Sequence, residues 1–182
     1  MTFREYLHKM RGSAAGSPPR AGNAEILWSW VGGFLGIAAV AWASRLLFEG
    51  HDLNLIIGSF GASAVLIYGA VRSPLAQPRN LMGGHFFSAV VGVTCYKLLH
   101  DAPWLAESVA VATAIGLMHA TRTLHPPGGA TALIAVLGSG GIHKLGYWYV
   151  LVPATVGPII MLVVALLVNN IPASRRYPEA WF

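Results

Sequence analysis

Charge is scarce in this chain: 10% of its 182 residues are charged, against about a quarter in ordinary soluble domains. So few charges cannot cover a water-facing surface, and a lipid bilayer is the expected solvent. A single cysteine, Cys95, excludes a disulfide framework, and its apolar neighbours predict a small packing residue. There is no Gly-x-x-x-x-Gly-Lys phosphate loop, which argues against a nucleotide-driven pump. His119 and His125 lie six positions apart with a chain break between them, without cysteine or carboxylate at ligand spacing, so no metal and no cofactor is expected. The formal net charge is +5, but the basic residues flank apolar runs, where they act as topology signals rather than as a nucleic-acid footprint.

Apolar sequence is abundant, with 55% hydrophobic residues, 21 glycines and a mean hydropathy of +0.58. Residues 1–25 are polar and read as a tail, with an interfacial helix over Thr2 to Met10 as the alternative. Apolar runs at 26–48, 53–71, 81–99, 104–121, 127–142 and 147–169 predict six transmembrane helices in an all-α membrane protein. Short loops join them, including an acidic one at 49–52 and another at 140–146, and Asn80 is placed to cap the third span. The fifth run has sixteen residues and reaches only about 24 Å, short for a bilayer.

If all six runs cross, Arg4, Lys9, Arg11, Arg20, Arg72, Arg79, Arg122, Arg175 and Arg176 share one side and Arg45, Lys97 and Lys144 the other. This asymmetry predicts a multi-pass protein of the cell inner membrane with both termini cytoplasmic. The division is then a tail at 1–25, a membrane domain at 26–170 and a second tail at 171–182.

Thr123 to Ser139 holds the most distinctive chemistry. Pro126 is disfavoured as helix before Pro127, whereas Pro127 suits a first helical position, so a helix is expected to start abruptly there. Its first amides belong to Gly128 and Gly129, which carry no side chain to obstruct an approaching anion. His125, just before the break, is able to change charge near neutral pH, with a structural role in holding the end of span four as the competing reading.

His125-Pro126-Pro127 followed by Gly-Gly-Ala-Thr-Ala-Leu resembles the signature of the HPP family of integral membrane proteins. Two further blocks resemble the same family: Gly58-Ser59-Phe60-Gly61-Ala62-Ser63-Ala64-Val65, and Ser73 to Asn80 leading into Gly83-Gly84-His85. The resemblance implies a small multi-helix membrane protein, and its cyanobacterial and plastid members are associated with nitrite transport.

The chain also resembles itself. Gly61-Ala62-Ser63-Ala64 is matched 68 positions later by Gly129-Ala130-Thr131-Ala132, and Gly92 in span three by Gly157 in span six, 65 positions on. Three spans separate each pair, so the copies, 26–99 and 104–170, would be oppositely oriented, a 3+3 inverted repeat with broken or short helices two and five.

These readings converge on a transporter or channel for a small inorganic anion, with nitrite as the substrate that the resemblance implies. Ser59, Gly61, Ser63, His125, Gly128, Gly129 and Thr131 would bind the anion near the midplane. His85 and His119, in apolar spans, and the loop residues Arg79 and Arg122 are accessory candidates, each with a packing or topological alternative. The expected partners are the anion and the bilayer, with homo-oligomer formation left open. A non-enzymatic role is expected, against two alternatives: a structural or regulatory membrane subunit, and an intramembrane serine hydrolase using Ser63 with His85 or His119.

Overall fold

A computed structural model of the chain describes residues 1–10, 19–48 and 57–182, and every regular element among them is helical. The acidic loop expected at 49–52, and the first residues of the second expected span, lie outside the described residues.

Helix α1, Phe3–Lys9, occupies part of the stretch read as a tail. A capping box makes it: the Thr2 hydroxyl accepts from the Glu5 amide at 3.2 Å, and the Glu5 carboxylate accepts from the Thr2 amide at 2.7 Å. None of its residues is buried. The long helix α2, Asn23–Phe48, follows.

Helix α3, Ser59–Ala64, continues as a π-helical turn over Val65–Gly69. A 3-10 turn at Pro74–Ala76 leads into α4, Pro78–Leu99, followed by α5, Pro103–Ala120, and α6, Pro126–Leu137. Each of these three α-helices opens on a proline, whose missing N–H costs nothing at a helix start. For α6 the start is Pro126, one residue earlier than expected, because His125 already supplies the extended N-cap.

Two expectations fail beyond α6. The loop placed at 140–146 is a short helix, α7, Gly140–Leu145. The sixth run is not one rod: α8, Trp148–Leu151, stops before Pro153, and α9, Val156–Val168, restarts beyond it. Asn80 is inside α4 rather than at its cap, and its amide donates to Leu124 O at 2.8 Å, tying α4 to the approach of α6.

By length and composition, two stretches among the described residues suffice to cross a membrane, Asn23–Leu46 and Trp148–Val168, while Ser59–Gly69 and Pro126–Leu137 are shorter apolar helices. Many large apolar side chains point outward, including Trp30, Phe34, Trp42 and Leu167, as lipid-facing helices require.

Small residues set the packing. Ala106, Ala110 and Ala114, one every four residues along α5, are fully buried in a cluster with Val91 and Cys95 of α4 and Ala132 and Val136 of α6. Gly92 of α4 lies against the Ala132 backbone of α6, so close that an added methyl would overlap it. In the same way Gly157 of α9 lies against the Phe60 ring of α3, and Gly32 and Gly36 of α2 against the Tyr68 ring. Without a hydrophobic effect between helices in lipid, such close approach is a main source of their association.

Candidate functional site

Short helices α3 and α6 bring their hydroxyls to the inner face of α4. Ser63 is one turn into α3 from Ser59, Thr131 is midway along α6, and His85 is two turns into α4. His125, the N-cap of α6, completes the group, and all five side chains are at most 1% exposed.

Ser63 sits at the centre. Its Oγ is 2.8 Å from His85 Nε2 and 2.8 Å from His125 Nε2, and the two rings are 5.1 Å apart. His85 Nδ1 lies 2.7 Å from Thr131 Oγ1, which in turn is 2.9 Å from Ser59 Oγ and 3.2 Å from Pro127 O. His125 Nδ1 is 2.8 Å from Leu75 O in the 3-10 turn. Tyr149 of α8 donates to Thr131 O at 3.0 Å, and the Phe60 ring meets His85 edge-on at 5.4 Å. The result is one continuous polar chain with no carboxylate or other fixed charge among the side chains in it.

Leu75 O only accepts, so His125 Nδ1 carries a hydrogen and, in a neutral ring, Nε2 is bare and accepts from Ser63. If Thr131 turns its one proton to His85 Nδ1, His85 donates from Nε2 to Ser63 and the neutral count closes. With the Thr131 proton turned instead to Ser59 or to Pro127 O, His85 Nδ1 carries the hydrogen and two bare Nε2 atoms flank a single Ser63 proton. One further proton then completes both bonds. Rotation of one threonine hydroxyl separates a neutral state from a proton-accepting one.

Ser59, Ser63, Thr131, His125 and His85 therefore meet, while the other expected site residues stand apart. Gly61 is exposed, with open space where a Cβ would stand. The Gly128 amide is taken, donating to His125 O at 2.8 Å, because two prolines tighten the first turn of α6. Space beside Gly128 is filled by Gly84 O, Ser88 Oγ and Met118 Sδ, 2.7 to 2.9 Å from where a Cβ would stand. Gly129 is half-buried beside Val111. Thus hydroxyls and imidazoles, not bare amides opening into a hollow, form the polar centre in this conformation.

His119 and Arg122 are exposed at the end of α5, Arg122 with a φ of 57°, and neither is part of the chain. Arg79 instead donates to Thr121 O at 2.9 Å and so braces the same turn. For Ser63 the histidines within reach are His85 and His125; the expectation that His119 was the alternative to His85 is corrected. Ser88, one turn beyond His85, was not among the expected site residues; its Oγ is buried with no hydrogen-bond partner among the described residues. Its three-residue spacing from His85 was the available signal.

Fold and centre together define a helical membrane protein with a polar centre that holds no fixed charge. The model of the HPP transmembrane region matches residues 18–178, and the chain belongs to that family. It is 44% identical over 183 residues to one transmembrane protein of Dictyostelium discoideum, covering 99% of this chain and 58% of the relative. It is 42% identical over 186 residues to another from the same organism, covering 100% of this chain and 65% of the relative. The chain thus spans roughly three fifths of the length of these relatives. No solved structure matches it.

Proposed function

We propose that this chain is a proton-coupled secondary transporter of a small inorganic anion, with nitrite the leading substrate, and that the Ser59–Thr131–His85–Ser63–His125 chain is its coupling site. The observation that carries the reading is Ser63 Oγ, 2.8 Å from both imidazoles and fully buried. An imidazolium alone in that setting would be heavily penalised by desolvation, and so would a bare anion. Bound together they neutralise each other. The centre then takes up both or neither, which is the condition for symport.

In this conformation the centre is closed, with Ser63 between the rings. Anion entry replaces one imidazole–hydroxyl contact by an imidazolium–anion contact, with the Ser59 and Thr131 hydroxyls as further donors. Exit reverses the exchange as the proton leaves. No fixed charge holds the anion, so release needs no second partner.

The six-crossing inverted repeat belongs to the same proposal. It is supported by the equivalent glycines: Gly92 of α4 packs on α6 near Ala132, and Gly157 of α9 packs on α3 at Phe60. Short α3 and α6 are the corresponding elements of the two halves. Placement in an inner membrane with both termini cytoplasmic rests on the asymmetry of lysines and arginines.

Reconstituted protein should load nitrite into liposomes faster than empty vesicles, and an inward proton gradient should accelerate loading. Ser63→Ala and His85→Gln should each remove the acceleration. Nitrite entry equal to that of empty vesicles overturns the proposal.

A serine hydrolase is the second reading, favoured by the same Ser63–histidine distances. Against it, His125 Nδ1 faces the Leu75 carbonyl and His85 Nδ1 a hydroxyl, so neither ring has the carboxylate that steadies a developing imidazolium. A fluorophosphonate probe that labels wild type but not Ser63→Ala would establish it.

A further inference from the structure

A second polar site lies away from the histidine centre, where α2 begins and α3 and α9 end. A cavity of about 430 Å³ opens there, bounded by Glu25, the turn from Gly69 to Ser73, and Ser174, Arg175 and Arg176. Glu25 sits in the first turn of α2, immediately before its apolar run, and Ser174 follows α9 by a few residues. The cavity is therefore at the boundary between lipid and water. Exposed Trp30 and Trp181 have the amphipathic rings favoured at that depth.

Its three arginines differ in what they have left to give. Arg175 is spent: Nε and Nη2 bond the Glu25 carboxylate at 3.0 and 2.6 Å, Nη1 bonds Asn169 Oδ1 at 3.2 Å, and Nη2 also meets Ser29 Oγ at 2.8 Å. That pair is neutral. Arg72 uses Nη2 on Ser174 O at 3.0 Å and keeps its other N–H groups, and Arg176 has no bonded partner among the described residues. Two open guanidinium forks thus share one concavity beside a neutralised carboxylate, a surplus of two positive charges. Planar forks match an oxyanion with several acceptor atoms.

We infer that Arg72 and Arg176 form a binding site for a phosphate-type oxyanion at the membrane boundary, separate from the transport centre. An anionic phospholipid headgroup and free inorganic phosphate present the same chemistry and are distinguished by experiment. The inference does not rest on the transport reading, because it uses neither histidine nor Ser63.

Thermal unfolding of the full chain in neutral detergent is the test, with phosphatidylglycerol, phosphatidylcholine or inorganic phosphate added. Phosphatidylglycerol should raise the Tm and phosphatidylcholine should not, and in Arg72→Gln/Arg176→Gln the apparent affinity should fall about tenfold or more. A phosphate response of the same kind without phosphatidylglycerol assigns the site to free anion. Ala70→Glu, which keeps both arginines and adds a negative charge to an exposed lining position, should weaken binding likewise. A wild-type Tm unmoved by both anions, or moved equally in wild type and both variants, overturns the inference. Nitrite flux measured on the double variant keeps the two sites distinguishable, since it should be retained.

Discussion

Two buried polar clusters among the described residues, around Arg175 and around Ser63, solve the problem of burial in opposite ways. Around Arg175 the solution is full charge: a guanidinium 2% exposed, held by a carboxylate, a serine and an asparagine, with its donors committed. Around Ser63 the solution is neutrality, with imidazoles and hydroxyls that donate and accept interchangeably and one hydroxyl whose rotation decides whether both Ser63 contacts need a further proton. A committed ion pair fixes geometry and cannot respond. An amphoteric chain holds geometry less firmly and can pass a proton. The difference separates a structural fastening from the proposed coupling site.

Four substitutions test that contrast. Arg175→Ala strands Glu25 and Asn169, and should lower unfolding stability by about 3 kcal/mol, the low end for a broken buried pair because Glu25 is 39% exposed. Chemical denaturation in detergent reads it, and a loss below about 1 kcal/mol would mean the pair is ornamental. Gly84→Ala adds a methyl against His125 Cβ and 3.2 Å from Thr123 O, and should cost about 2 kcal/mol by overpacking. It should also abolish proton-driven nitrite uptake although no polar atom is removed; unchanged uptake would show that His125 need not hold its position.

Ser63→Ala leaves two imidazole nitrogens without their shared hydroxyl, at about 1–2 kcal/mol, much less than Arg175→Ala since no charge is stranded. A loss as large as that of Arg175→Ala would remove the distinction between the clusters. Tyr177→Phe deletes the 2.8 Å bond to Ala76 O and should cost about 1 kcal/mol or less. Because that bond steadies the turn presenting Leu75 O to His125, a slower uptake with nearly unchanged stability is the expected pair of readouts.

Much of this architecture was legible. Scarce charge and apolar runs determine a bilayer protein, and the prolines at 78 and 103 mark helix starts because φ is preset and no N–H is lost, whereas α6 opens on Pro126, one residue before the expected Pro127. The break in the sixth run was equally legible at Pro153 but was hidden by the run's apolarity. Helix α1 was weighed only as an alternative, although Thr2 and Glu5 carry a capping box at the required spacing. Arg175 reads in sequence as one more basic residue after a span. Only its approach to Glu25, 150 positions earlier, converts it into a buried bond.

The sequence alone determines the composition of the centre: which hydroxyls and imidazoles exist, the short helices that carry them, and the absence of a charge that would pin a ligand permanently. It also marks the glycines through which helices can touch. Tertiary structure decided that Ser63 joins His85 and His125, 22 and 62 positions away, and that Gly128 is enclosed rather than open. Hydrogen bonding acts over about 3 Å, and the chain gives no distance between residues far apart until the helices have packed.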